Sequence, residues 1–294
     1  MPIMYEVPDY KRVRVIVDTD AACEADDPFA IAHALMCKKF DVRAVLAEQF
    51  GNPQTTRKSY DAIEKLVGTM QIRVPVFMGE EGTFPDRKER QLSPGAKYLI
   101  EEAMKTEEKP LYVLCLGAIT NVACAIDACP AIASKMTVVW IGGQDLDRPN
   151  RAFREFNSGN DIEAANYIME SDVDLWLIPV NVYGTMNIGL AEIQRRISVC
   201  GEVGKYLFEN MTQYNMSEHA TWTQGESWSL GDSPAVGVVM NPGCGKYEYR
   251  EAPIFSRDTV YQFKEGRRKI RVYTSIDARF ILEDFIAKLE LLYS

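Results

Sequence analysis

No stretch of this sequence approaches eighteen consecutive apolar residues, and the opening MPIMYEVPDYKR has no apolar core of signal-peptide length. Neither a membrane span nor a secretory leader is therefore expected. Basic residues are outnumbered: 33 Lys and Arg stand against 42 Asp and Glu, a formal net charge of −9. Nucleic acid and anionic membrane are excluded as main partners, because binding phosphate calls for a positive surface. No Cys-x-x-Cys pair occurs, and the seven cysteines (Cys23, Cys37, Cys115, Cys124, Cys129, Cys200, Cys244) are an odd number. That count fits reduced thiols better than a disulfide framework, and a cytoplasmic location is the expectation. No linker, repeat or low-complexity tract breaks the chain. At 47% hydrophobic, its 294 residues can bury the core of one large domain, residues 1–294.

What the chain does have is alternation. Strand-like runs at 13–17, 42–47, 74–77, 111–116, 137–141 and 175–180 are separated by helix-like ones after Pro28, over 57–67, around 96–104, from Thr120 to about Ala128 and after Asp161. A charged loop, Glu80–Arg90, falls among them. This order predicts an α/β fold, a mostly parallel central sheet flanked by helices and joined by right-handed crossovers. Beyond Asn181 the pattern is less regular. It reads as a helix over Ala191–Asn210, a loop with His219, Trp222, Trp228 and Asp232, and a helix opening at Pro234. A β-ribbon over Tyr247–Tyr273 with a Lys264-Glu265-Gly266 turn and a C-terminal amphipathic helix complete the chain.

Polar groups repeatedly follow the last residue of a strand: Asp18-Thr19-Asp20, Glu48-Gln49-Phe50-Gly51-Asn52, Gly117 to Asn121, Gly142-Gly143-Gln144-Asp145 and Asn181. Ligands of parallel sheets bind outside the carboxyl ends of the strands. The densest group follows the first strand, where Asp18, Asp20, Glu24, Asp26 and Asp27 crowd into ten residues. Five acids so close repel one another unless a cation, hydrogen-bond donors or full solvation offsets the cost. Asp26 and Asp27 before Pro28 can be read as a helix cap, with Asp27 at the N-cap. One cap does not need four carboxylates, so a bound hard cation is the leading reading. Only Cys23 offers nitrogen or sulfur nearby, which argues against zinc. The same neighbours raise the pKa of its thiol, leaving Cys23 inert.

Asp18-Thr19-Asp20 followed by Asp26-Asp27 resembles the amino-terminal signature of the nucleoside hydrolases of the inosine–uridine-preferring type, Asp-x-Asp-Pro-Gly-x-Asp-Asp. The resemblance continues in order through Phe50-Gly51-Asn52, Leu116 to Asn121, Ile141-Gly142-Gly143, Glu155-Phe156-Asn157 with Asp161 to Ala165, and Gly231-Asp232-Ser233-Pro234. It implies hydrolysis of the N-glycosidic bond of a nucleoside or related riboside, a Ca²⁺ cofactor and a homodimer or homotetramer. Asp20 would bind Ca²⁺ and act as general base toward the attacking water. Asp27, Asp232 and the backbone carbonyl of Leu116 would be further ligands. Asp26, Asn52, Glu155 and Asn157 would hydrogen-bond the ribose, with Asn150 offset by one residue from the family's asparagine. Carboxylates beside the sugar suit the positive charge that develops at its anomeric carbon.

Two departures stand out. The first loop is two residues longer than the family pattern and lacks its Pro-Gly, which brings Glu24 toward the site. The histidine usually preceding the late aspartate, associated with protonating the departing base, is Gly231. Of the two histidines, His33 falls in a helix and reads as packed, while His219 in the loop before Asp232 is the candidate substitute acid. Trp222 and Trp228, or Tyr183 and Tyr214, can stack on a base or simply pack. Arg148, Arg151 and Arg154 are solvated loop charges or a greeting for an anionic substituent. Two rival readings remain. A haloacid-dehalogenase-type phosphatase also uses a strand-end Asp-x-Asp, but Ala22 stands where that family wants Thr or Val. A nucleoside- or sugar-binding protein on the same scaffold, its chemistry lost with the histidine, is the other.

Overall fold

A computed structural model describes residues 3–84 and 91–294, so 85–90 of the charged loop lie outside the described residues. Six strands follow the expected order: β1 (Val13–Thr19), β2 (Phe40–Ala47), β3 (Val76–Met78), β4 (Leu111–Cys115), β5 (Met136–Ile141) and β6 (Asp174–Ile178). Two short strands, β7 (Asn187–Gly189) and β8 (Ser227–Ser229), pair with each other. β9 (Gly245–Glu251), β10 (Ile254–Phe255), β11 (Tyr261–Gln262) and β12 (Lys269–Ile276) complete the set. The main sheet runs β3-β2-β1-β4-β5-β6-β12-β9, parallel throughout except for the antiparallel β9 edge.

Both faces of the sheet are covered. Val13, Val15 and Val17 of β1 enter one apolar cluster with Phe29, Ile31 and Phe285, while Ile16 enters another with Leu99, Val113 and Trp140. The period-two alternation of a strand divides its residues between two cores, which is why Val15, Ile16 and Val17 are apolar in succession. Strand order reverses between β1 and β4, the topological switch point where an open α/β sheet leaves a crevice. The acidic loop leaves β1 at that crevice.

Three expectations are refined by the coordinates. The Tyr247–Tyr273 ribbon is two things: β9 and β12 extend the central sheet, and β10 with β11 forms a separate small antiparallel pair between them. The helix over Ala191–Asn210 is broken, with a one-turn π segment at Ile193–Ile197 and a second helix, Gly201–Asn215, opening after Cys200. Gly201 has φ +60°, a left-handed conformation that interrupts a helix and favours glycine. Asp27 is not the N-cap: the helix spans Asp27–Met36, and Asp26 holds the cap position without any side-chain capping bond. Among the described residues, no helix is long and apolar enough to cross a membrane.

Candidate active site

Two helices open on the same space. One is Asp27–Met36, preceded by Asp26; the other is Ser233–Met240, preceded by Asp232, and the two pack side by side. Each has proline in its first turn, which fits there because those amides need no intrahelical partner. Neither Asp26 nor Asp232 spends its carboxylate on capping. Instead the carboxylates of Asp26, Asp27 and Asp232 come together, with ligand oxygens within 4.8 Å of one another. Asp232, more than two hundred residues from the first loop, thus meets it as the resemblance implies.

Asp20 adjoins this group through Asp27, whose carboxylate interacts with both Asp20 and Asp232. Its side chain lies on the backbone of Gly117, where any Cβ would collide with the Asp20 carboxylate. Thr19, between the paired aspartates, donates its hydroxyl to Asp27 Oδ1. Asp18 turns elsewhere: Asn121 Nδ2 donates to its Oδ1 at 2.8 Å, and burial pushes its pKa up to about 7.

Asp20, Asp26, Asp27 and Asp232 are each less than a tenth exposed. Burial holds Asp20, Asp26 and Asp232 well above the usual carboxylate range, and after it repulsion, chiefly from Asp27 and Glu24 on Asp20 and Asp26 and from Asp26 and Asp27 on Asp232. Burial raises Asp27 to about 6, and burial followed by repulsion from Asp27 and Glu155 raises Glu24 to about 7. Among the described residues, no lysine or arginine forms an ion pair with any of the four aspartates. Buried acids without a basic partner are the donor set that a hard divalent cation satisfies. The residues present fit a hard divalent cation.

These shifts fix a sign for pH dependence. The ordinary values are 3.8 for Asp27 and 4.5 for Glu24, so between about 4 and about 7 the folded cation-free protein holds more protons than the unfolded chain. Its stability therefore falls as pH rises across that window. Cation-free protein should melt several degrees higher at about pH 5.5 than at about pH 8, and excess Ca²⁺ should erase or reverse the difference. Melting curves in the two buffers check this, and a higher cation-free midpoint at the upper pH refutes the electrostatics above.

On the far side of the crevice stands Glu155, fully buried and saturated. Its carboxylate accepts from the amides of Gly143 (2.8 Å), Asn157 (3.2 Å) and Ser158 (2.9 Å), from the Ser158 hydroxyl (2.5 Å) and from the Tyr183 hydroxyl (3.0 Å). It caps the short helix Phe156–Asn160, and its hydrogen bonds order this side of the site. Asn157 Nδ2 donates to the carbonyls of Leu116 (2.8 Å) and Ile141 (2.9 Å), at the ends of β4 and β5. The Leu116 oxygen expected as a metal ligand therefore already accepts one bond and keeps a second lone pair. Asn52 and Asn150 are exposed, and Asn150 Oδ1 accepts from Ala152 within its own loop.

The aromatic expectations divide. Trp228 is 5% exposed and packs in the core, held by the β7–β8 pairing, whereas Trp222 is 55% exposed. Tyr214 contacts both indoles, with centroids 5.6 Å from Trp228 and 6.3 Å from Trp222. Burial, and then the negative charge of Glu24, raises the Tyr214 pKa, which ties this aromatic group to the acids. His219 is exposed. Only its backbone amide is engaged, by Ser217 Oγ at 3.3 Å, and among the described residues no hydrogen bond or ion pair joins its imidazole to the cluster. His33 is buried against Asp284 at 2.8 Å. The contributions of Thr19 and Gly143 carry no composition signal, since one is a hydroxyl between two acids and the other a backbone amide.

The chain matches the profile of the family described as inosine-uridine preferring nucleoside hydrolase over residues 15–282. It is 26% identical to probable uridine nucleosidase 2 of Arabidopsis thaliana, covering 80% of each chain, and 28% identical to uridine nucleosidase 1 of the same plant, covering 81% of this chain and 77% of that one. In fold it is similar to a plant nucleoside hydrolase (TM-score 0.77, 18% identity) and to the purine-preferring ribonucleoside hydrolase from Gardnerella vaginalis (TM-score 0.78, 16% identity). Each comparison covers 95% of this chain and 99% of the other.

Proposed function

Since the chain belongs to the inosine-uridine preferring nucleoside hydrolase family, we propose that it cleaves the N-glycosidic bond of a nucleoside or related riboside, releasing the base and ribose in a Ca²⁺-dependent reaction. One observation carries this reading: Asp26, Asp27 and Asp232, from two distant parts of the chain, gather their carboxylates beside Asp20 at the switch point of the sheet. Asp20, Asp27, Asp232 and the Leu116 carbonyl would hold the ion. When bound, Ca²⁺ would polarise a water molecule and orient the sugar's hydroxyls.

The chain's own groups do the rest. Asp20 accepts the proton of the attacking water, a task for a carboxylate whose proton affinity burial and the neighbouring Asp27 have raised. Asp26 and Asn157 face the ribose hydroxyls, with Glu155 fixing the Asn157 backbone amide. As the glycosidic bond lengthens and positive charge grows on the sugar, the surrounding carboxylates stabilise it. Asn52 and Trp222, both exposed, would meet the substrate as it enters.

The exposed His219 and the glycine at 231 favour a second reading, a riboside-binding protein that does not turn over. A panel of purine and pyrimidine nucleosides, each incubated with and without Ca²⁺ and analysed for products, separates the two. Free base and ribose in equal amounts, only with Ca²⁺, are expected. Binding of a nucleoside with no base released from any member of the panel would establish the binding protein. Phosphate release from phosphate esters instead would overturn both.

A further inference from the structure

Gly231 stands where the family pattern has histidine, and the coordinates show what fills the gap. A Cβ placed on Gly231 would lie 3.1 Å from Cδ2 and 3.7 Å from Cε2 of Tyr183, and 3.3 Å from Oδ2 of Asp26. Carbon atoms pack comfortably at about 3.5–4.0 Å, so even a methyl group must push the ring or the carboxylate aside. Neither yields freely. The Tyr183 hydroxyl donates to Glu155 Oε1 at 3.0 Å, and its carbonyl accepts from Ser229 Oγ at 3.3 Å on β8. Its backbone belongs to the turn Val180–Tyr183, closed by the Gly184 amide on the Val180 carbonyl at 2.9 Å. Asp26 is bound up with Asp27 and Asp232.

We propose that Tyr183 takes the place left by the missing histidine as a positioning residue: its ring packs against Gly231, next to Asp26, its hydroxyl fixes Glu155, and glycine at 231 is the condition for both. The proposal rests on the hydrolase reading for its substrate and on packing alone for its geometry. Burial and the neighbouring acids Glu155, Glu24 and Asp232 keep the phenol protonated, so it remains a hydrogen-bond donor and never adds a further negative charge to the crevice. Through one side chain the corner that Gly231 shares with Asp26 is linked to Glu155: the ring lies beside Gly231 and the hydroxyl bonds Glu155.

The test is a double-mutant cycle of Tyr183→Ala and Gly231→Ala, with Tyr183→Phe alongside. Gly231→Ala should cut kcat/KM about tenfold and weaken Ca²⁺ binding severalfold, because it presses on the ring and Asp26 together. On the Tyr183→Ala background, where the ring is gone, the same substitution should cost less than about twofold. Tyr183→Phe keeps the ring, and should lower the melting temperature by only a few degrees while raising KM about fivefold with kcat held, as Glu155 loses one of its five donors and Asn157 loosens. Additive effects in the cycle, or a Tyr183→Phe enzyme with wild-type KM, would overturn the proposal. The cycle is read in parallel in calorimetric Ca²⁺ affinity and in melting temperature. If wild-type protein cleaves no nucleoside, the hydrolase reading fails while those two readouts still decide whether residues 183 and 231 are coupled.

Discussion

Asp20→Asn is expected to lower kcat by about a thousandfold, within the usual range for loss of a general base, while the fold survives. The survival follows from shape. Asparagine has the outline of aspartate, so it still lies flat on Gly117, where a bulkier group cannot. The loss follows from chemistry, because an amide cannot take the water's proton. The cation-free variant should melt higher than cation-free wild type, since one of several mutually repelling buried acids has become neutral. Circular dichroism, melting curves and single-substrate kinetics check all three parts. Turnover within tenfold of wild type would remove Asp20 from the base role.

Chelation is the second large effect. Removing Ca²⁺ should abolish turnover and lower the melting temperature together, because the same ion serves both. With the ion at a hundred times its Kd, linkage is worth ~2.7 kcal/mol, or about 5 °C for a chain of this length. Adding back Ca²⁺ should restore both. Mg²⁺ should restore them poorly, because it demands strict octahedral geometry and sheds its waters reluctantly, whereas a loose set of carboxylates and a carbonyl suits the larger ion. A dialysed, metal-free protein with full activity and an unchanged melting temperature would end the cation reading.

Local pattern carried much of this architecture. The β-branched run at 13–17, the proline-led helices after Pro28 and near Pro234, and the polar residues at each strand end are short-range signals. They specify a parallel sheet with its chemistry at one edge, because strand period, helix starts and turn residues are written within a few positions of the chain. The acid-rich loop announced a cation for the same reason: five like charges in ten residues are costly whatever fold surrounds them.

Which acid meets which was a matter for the tertiary structure. Asp26, expected on the sugar, shares its tightest group with Asp27 and Asp232, while Asp18 turns away to Asn121. Glu155 spends its lone pairs on five donors drawn from residues 143 to 183, and the ring beside Gly231 comes from Tyr183, forty-eight residues earlier. Asn52, Asn150 and His219, each plausible by residue type, sit on exposed loops. Sequence spacing encodes period and propensity, and these determined the elements and their order. The direction of a side chain across a crevice depends on which helices pack together and which rotamers the crowded neighbours leave open, and only the assembled chain decides that.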